Sequence, residues 1–135
     1  TGRIADYICM DGTVPLSQLS HVLQQTGEIV ASLGLRVANV FHAGDGNMHP
    51  LILFNANDPD EAARAEEAGN RILRLCVDAG GCLTGEHGVG IEKRDLMRHQ
   101  YSDADIDQQM AVRSAFDEGW ILNPSKVFPL DGRPA

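Results

Sequence analysis

The stretch Phe41-His-Ala-Gly-Asp-Gly-Asn-Met-His-Pro50 decides the fold of this chain, because it predicts a β-hairpin whose two strands each carry a histidine. Asp-Gly is a preferred pair for a two-residue type I′ turn. With that pair at the turn, His42 lies directly opposite His49. Opposed residues share one face of a sheet, with Cβ atoms about 5 Å apart. Two imidazoles so placed can share a divalent metal ion.

Pro50 restricts where this hairpin can lie in a sheet. Proline cannot donate a hydrogen bond to a strand ladder, so His49 is expected near a sheet edge or a bulge. Two histidines beside a glycine-rich turn can also be surface residues with no ligand role, and this alternative stays open.

Segments on both sides of the hairpin show the periodicity of helices and strands. Pro15 suits a first helical turn, and Gly34 is expected to cap the end of the same helix. Asp58 can cap a second helix, with Glu61 three residues on as in a capping box. The predicted elements are a strand at 3–10, a helix at 15–33, strands at 36–43 and 48–54, a helix from Asp58 to the glycines at 80–81, an extended piece at 82–84, and helices at 90–99 and 103–117, the last capped by Ser102 with Asp105.

The order of these elements, β-α-β-β-α-(β)-α-α, indicates an α+β fold. Strands joined by a tight turn pair antiparallel, and the flanking helices are expected to cover the sheet. A chain of 135 residues with 43% apolar content is long enough to bury one core. We predict one domain over residues 1–130, followed by a tail at 131–135.

Charge and cysteine content exclude several classes of protein. The net charge of −8 opposes binding to nucleic-acid phosphates. No apolar run approaches the roughly 20 residues of a membrane-spanning helix. The three cysteines, Cys9, Cys76 and Cys82, form no CxxC pair, which argues against a disulfide framework or a zinc knuckle and favours a reducing compartment.

A second motif, Thr84-Gly-Glu-His-Gly88, offers a third ligand for the metal that the hairpin predicts. Its glycines let the backbone approach a ligand closely. Glu86 with two histidines makes a two-His, one-carboxylate set, which leaves coordination positions open for a substrate. His87 would then lie beside the ion and be free to act as a base. The alternative for Glu86 is an acidic residue that only stabilises a helix N-terminus.

Together the two motifs resemble a known family. They closely resemble the paired motifs in the C-terminal domain of FAD-linked oxidases, in the vanillyl-alcohol oxidase and p-cresol methylhydroxylase fold group. The stretches Met10-Asp-Gly-Thr-Val-Pro15, 36–54 and Leu122-Asn-Pro-Ser-Lys126 extend the resemblance over about residues 3–130. The family implies an antiparallel sheet covered by helices, a partial ferredoxin-like domain, and flavin-dependent oxidation of a small 2-hydroxy acid such as glycolate or D-lactate.

The resemblance also implies roles for individual residues. His42, His49 and Glu86 match the family's metal ligands, which usually hold zinc. His87 matches its catalytic base, and Asn123 matches a segment that returns toward the flavin.

Two positions depart from patterns within the family. Ser125 stands where a glycine is frequent, and serine adopts positive φ poorly. Relatives that oxidise 2-hydroxyglutarate carry a lysine near Cys9, which they use for a substrate carboxylate. The uncharged Cys9 therefore favours a substrate with one carboxylate.

By the same resemblance the cofactors are FAD and a divalent metal, zinc. The main FAD-binding domain is expected upstream of this chain, so we expect the fragment alone to be inactive. The partners implied are the chain's own N-terminal FAD domain, a small 2-hydroxy acid, and other oxidase subunits including an iron-sulfur electron-transfer subunit. The expected location is cytoplasmic, with peripheral attachment to the inner membrane through partner subunits.

Two further functions are compatible with the motifs taken alone. The first is a stand-alone hydrolase that uses metal-bound water, which bound flavin would distinguish from an oxidase. The second is a non-catalytic assembly module with a structural metal. Structural zinc sites usually have four protein ligands, often cysteines, whereas three candidates converge here and the cysteines lie outside both motifs.

Overall fold

The structure, a computed structural model, describes residues 6–129, so the predicted tail at 131–135 lies outside it. The chain divides into two compact units, with the boundary between His87 and Gly88. A single domain over 1–130 stays a prediction. The helices and strands are β1 (Asp6–Cys9), β2 (Gly12–Thr13), α1 (Leu19–Ser32), β3 (Arg36–His42), β4 (Asn47–Phe54) and α2 (Pro59–Asp78) in the first unit, and α3 (Met97–Gln100) and α4 (Asp103–Phe116) in the second.

A four-stranded antiparallel sheet forms the centre of the first unit, which confirms the predicted α+β class. β4 is its central strand. β3 pairs along one side of β4, while β1 and β2 follow one another along the other side. Within the described residues, the strand predicted over 3–10 is seen as β1, and β2 is a further short strand beyond its predicted end.

Pro50 explains why β1 and β2 are separate strands. Both keep one register on β4, and its continuation places Met10 opposite Pro50 and Asp11 opposite His49. Pro50 has no N–H to donate, so the ladder is interrupted there, although its carbonyl still accepts from Met10 N at 3.1 Å. His49 therefore lies in the central strand with an unbroken register on both sides, and its predicted location near a sheet edge or a bulge is wrong.

The hairpin between β3 and β4 differs from the predicted one by two residues of register. Residues 43–45 form a 3₁₀ turn, closed by Gly46 with a left-handed φ of 69°. His42 consequently pairs with Asn47 rather than with His49, and the predicted two-residue turn is wrong. Because side chains alternate faces with a period of two, this shift leaves both histidines on the same face, as predicted.

Helices α1 and α2 pack against each other and against one face of the sheet. The strands contribute buried apolar side chains to the core between these layers, among them Met48 and Ile52. Gly12 approaches α2 so closely that a Cβ there would lie 2.8 Å from Cys76 Sγ. The helices thus occupy the face that carries Met48 and Gly12, and His49 points to the opposite face.

Helix boundaries follow the predicted capping residues with small differences. A 3₁₀ turn over Leu16–Gln18 precedes α1, and Gly34, with φ of 70°, follows its end as predicted. Asp58 caps α2 by accepting from Asp60 N and Glu61 N. The expected capping box is incomplete, because the Glu61 carboxylate accepts instead from the backbone of the preceding loop.

The second unit contains the two short helical segments predicted from the sequence. The first begins later than residue 90, with a 3₁₀ turn over Arg94–Leu96 that leads into α3. The second, α4, has the complete capping box of Ser102 and Asp105. Between residues 6 and 129, no helix is both long and apolar enough to cross a membrane.

Candidate metal and substrate site

Two neighbouring strands place the paired histidines on the face of the sheet opposite α1 and α2. His42 ends β3, and His49 lies in the central strand β4. Their ring centroids are 5.3 Å apart and their planes are nearly perpendicular. The His42 side chain is 56% exposed, whereas that of His49 is 8% exposed, so the site opens to solvent on the His42 side.

The segment after α2 brings Glu86 to these histidines. We name residues 84–87 the ligand loop. Glu86 Oε1 lies 3.2 Å from His49 Nε2 and 3.6 Å from His42 Nε2. His87 Nε2 is 3.9 Å from the same oxygen, and its ring stacks on His49 with centroids 5.1 Å apart. Three imidazoles and one carboxylate therefore converge, as the sequence predicts.

The chemistry of this cluster fits a divalent cation. His49 is buried, yet its Nε2 makes no hydrogen bond within residues 6–129, although Glu86 Oε1 lies nearby. A buried ring nitrogen without a hydrogen-bond partner is costly, and a metal ion would satisfy it. The ligand atoms of His42, His49 and Glu86 all lie within 4.8 Å of one another. Two imidazoles and a carboxylate are a donor set that zinc commonly takes.

Cys9 belongs to a second group of possible ligands, which we did not predict from the sequence. Ligand atoms of Cys9, His49 and His87 also lie within 4.8 Å of one another. Cys9 Sγ is 3.9 Å from His49 Nδ1, while Glu86 faces Nε2 of the same ring. Because the two nitrogens point away from each other, one ion bound to His49 occupies one group or the other.

Asp11 is the main residue of this region that the sequence analysis missed. Its buried carboxylate accepts hydrogen bonds from the Thr84 hydroxyl and from three consecutive backbone N–H groups, those of Gly85, Glu86 and His87. Asp11 lies more than seventy residues from the ligand loop, so no local pattern connects them. Two signals were available: a carboxylate directly after an apolar strand, and membership of the stretch 10–15 that carries part of the family resemblance.

Asn47 and Gly85 form a close contact beside the site. Asn47 is buried, and its Oδ1 makes no hydrogen bond within residues 6–129. A Cβ at Gly85 would lie 2.7 Å from three atoms of the Asn47 amide. Glycine at this position therefore allows the ligand loop to rest directly on β4.

Asn123, the residue matched to the flavin-facing segment, belongs to the second unit. It is exposed and has a left-handed φ of 45°. Its flavin role stays a prediction. Ser125, where a glycine was expected, has φ of 62° and therefore adopts the conformation that favours glycine.

Comparison with known proteins defines the class of protein. Residues 2–127 match the family described as FAD linked oxidases, C-terminal domain. The chain belongs to this family, which confirms the resemblance of the two motifs.

Similar proteins include a glycolate oxidase subunit from two bacteria and a D-lactate dehydrogenase from a yeast. Glycolate oxidase subunit GlcD of Escherichia coli (strain K12) is 55% identical over 129 residues, which are 95% of this chain and 26% of the relative. The GlcD subunit of Bacillus subtilis (strain 168) is 36% identical over a stretch that covers 93% of this chain and 27% of the GlcD subunit. The mitochondrial D-lactate dehydrogenase [cytochrome] of Kluyveromyces lactis is 36% identical over a stretch that covers 90% of this chain and 20% of the dehydrogenase. The chain thus spans between a fifth and just over a quarter of the length of these relatives.

Proposed function

We propose that this chain is the C-terminal, metal- and substrate-binding part of a flavin-dependent 2-hydroxy-acid dehydrogenase similar to the GlcD component of glycolate oxidase. The observation that carries the proposal is the convergence of His42, His49 and Glu86 around a buried ring nitrogen without a hydrogen-bond partner, in a chain of the FAD-linked oxidase family. The named relatives act on glycolate or D-lactate, which supports a small 2-hydroxy acid as substrate.

In the proposed reaction, three residues bind the metal ion and a fourth removes a proton from the substrate. His42, His49 and Glu86 would hold the metal ion. His87 takes the hydroxyl proton of the substrate at Nε2, because an imidazole accepts protons near neutral pH. When bound, a divalent cation at the three ligands supplies Lewis acidity that favours loss of this proton. FAD supplies the acceptor for the hydride that leaves C2. Loss of one proton from the hydroxyl and one hydride from C2 converts the alcohol to a carbonyl group, so the product is the 2-oxo acid.

Charge at the site suits a monocarboxylate. Glu86 is the one anionic ligand, so it leaves a divalent cation with one excess positive charge, which one substrate carboxylate balances. Cys9 lies on this face, with Sγ 3.9 Å from His49 Nδ1, and it offers no cation to a second carboxylate. Glycolate or D-lactate therefore fits better than a dicarboxylate such as 2-hydroxyglutarate.

The remaining parts of the proposed enzyme lie outside this chain. We propose that an N-terminal domain binds most of the FAD, that Asn123 belongs to a segment facing the flavin, and that the fragment alone is inactive. Electrons would pass through partner subunits, including an iron-sulfur subunit, to the respiratory chain. The location proposed is the cytoplasm, with peripheral attachment to the inner membrane through those partners.

Two substitutions in the full-length protein separate the role of Glu86 from that of His87. Glu86→Gln removes the anionic ligand, so bound zinc should fall and activity should return in part with excess metal. His87→Asn should keep zinc and lose kcat by about 10² to 10⁴, the usual contribution of one acid–base group. His21→Asn, at an exposed position of α1, is the matched control.

Elemental analysis and steady-state kinetics on the three variants give the answer. The assignment of His87 as base is wrong if His87→Asn empties the metal site or keeps near-normal kcat. Absence of bound flavin from the full-length wild type would instead favour a stand-alone metal-dependent hydrolase.

The choice between the two ligand groups can be tested with cobalt. Co(II) bound to a cysteine thiolate shows a strong sulfur-to-metal charge-transfer absorption in the near ultraviolet. Binding at His42, His49 and Glu86 predicts no such band, and a spectrum that Cys9→Ser leaves unchanged. A band that Cys9→Ser abolishes would move the metal to the group of Cys9, His49 and His87.

A further inference from the structure

Asp11 makes an unusual set of hydrogen bonds for a side chain with no exposed surface. Oδ2 accepts from Thr84 Oγ1 at 2.7 Å, from Gly85 N at 2.9 Å and from His87 N at 3.0 Å. Both carboxylate oxygens lie 3.2 Å from Glu86 N. Three consecutive N–H groups that converge on an anion form an anion-binding nest, and here a side chain of the protein itself fills it.

The ligand loop depends on this carboxylate for its backbone hydrogen bonding. Residues 84–87 belong to no helix or strand. Burying a carboxylate is costly unless several donors compensate it, and donors bound to an ionised acceptor form strong hydrogen bonds. Asp11 and the loop therefore stabilise each other, and the carboxylate fixes the path of the backbone on which Glu86 and His87 are mounted.

The location of Asp11 connects that loop to the central strand. The register of the sheet places Asp11 opposite His49, where Pro50 interrupts the ladder. Asp11 thus ties the loop that carries Glu86 to the part of the sheet that carries His49, in addition to the contact between Gly85 and Asn47. In this arrangement His49 Nε2 lies 3.2 Å from Glu86 Oε1.

Resting on the proposed function, we propose that Asp11 is a positioning residue for both the metal ligand Glu86 and the base His87. It acts through the backbone of the ligand loop. An amide in its place would remove the negative charge and put an N–H donor where Oδ1 faces Glu86 N, which would weaken the hydrogen bonding of the loop without a change in side-chain size.

The test compares Asp11→Asn with Asp117→Asn in the full-length, flavin-loaded protein. Asp117 is a matched control because its carboxylate also accepts two backbone hydrogen bonds, from Ile121 N and Leu122 N, but belongs to the second unit. Zinc affinity is measured by equilibrium dialysis against chelator-buffered Zn²⁺ with elemental analysis. Thermal stability and kcat/KM for glycolate are measured on the same samples.

We expect Asp11→Asn to raise the zinc Kd roughly 10- to 100-fold, the scale found for residues that orient metal ligands, and to lower kcat. Asp117→Asn should lose thermal stability while its zinc Kd stays within twofold of the wild type. If Asp11→Asn is only less stable, with zinc Kd and kcat unchanged, the positioning role is refuted. Should Asp11→Asn not fold, Thr84→Val removes one hydrogen bond to the same carboxylate, and an unchanged zinc Kd in that variant would overturn the proposal.

Hydrogen exchange separates failure of this inference from failure of the proposed function. A wild type that holds no zinc and oxidises no 2-hydroxy acid would refute the proposed function. The amides of Gly85, Glu86 and His87 would still report on Asp11. Faster exchange of these amides in Asp11→Asn would support the proposal that Asp11 positions the ligand loop, and unchanged exchange would overturn it.

Discussion

Gly85→Ala should weaken metal binding although it changes no ligand. The added Cβ would lie 2.7 Å from the Asn47 amide, about 0.7 Å closer than the 3.4 Å at which ordinary contact begins. Asn47 is buried in β4, where its amide has little room to shift, so we expect the ligand loop to move instead. Metal–ligand distances tolerate only about 0.2 Å, so a shift of this size displaces Glu86 from an effective position.

We expect Gly85→Ala to raise the zinc Kd by roughly 10- to 100-fold in the full-length protein, as loss of ligand orientation does elsewhere. Asn47→Ala removes all three atoms that the new methyl group would meet. The double variant should therefore recover most of the lost affinity, and the two substitutions should show a favourable coupling in a double-mutant cycle.

Gly44→Ala is the control, since a Cβ at Gly44 would have nothing within 4 Å. Its zinc Kd should match that of the wild type. Equal losses from Gly85→Ala with and without the Asn47 substitution would refute the steric explanation.

Three other predictions test separate parts of the chain. Ser125→Gly should raise the unfolding free energy by about 1 kcal/mol, because φ is 62° there; denaturant unfolding tests this, and a lower value would contradict it. A hydrogen bond from the Ser102 hydroxyl, together with one from its backbone, lowers the pKa of Asp105. The ionised carboxylate therefore stabilises the fold above the ordinary carboxyl pKa, and this stabilisation is lost as the pH falls through the lowered pKa of Asp105. Ser102→Ala should therefore raise the pKa of Asp105 in an NMR titration and lower the Tm near pH 7 more than near pH 2. Because Cys9 offers no positive charge, kcat/KM for glycolate or D-lactate should exceed that for D-2-hydroxyglutarate, and the reverse order would remove this inference.

The sequence predicted the two-histidine face but not the turn that makes it. Asp-Gly favours a two-residue turn when only local preferences act. In the structure Gly46 lies against Val14, whose N–H donates to Gly46 O at 3.0 Å, and a Cβ at Gly46 would collide with the Val14 carbonyl. This long-range contact favours the longer loop over residues 43–46. The prediction of a shared face survived because the error in register was an even number of residues.

The candidate ligands could be predicted from the sequence, but the residue that positions their loop could not. His42, His49, Glu86 and His87 lie in two compact motifs whose residue types indicate their chemistry. Asp11 acts across a sequence separation of 76 residues to reach His87, and nothing in the stretch 10–15 indicates that its carboxylate binds that distant loop. Residues that support a site from distant parts of the sequence can be identified only when the pairing of the strands is known.

The edge strand β3 has a consequence for handling this chain by itself. Its only strand partner among the described residues is β4, so its outer row of backbone N–H and C=O groups faces away from the sheet. Val40 is 51% exposed on one side and Phe41 is 38% exposed on the other. A strand edge that no described strand pairs, with apolar side chains and a single charged residue, Arg36, is a template for adding another strand. The isolated polypeptide is accordingly at risk of self-association through this edge as its concentration rises, and Val40→Lys is the smallest change that would oppose it.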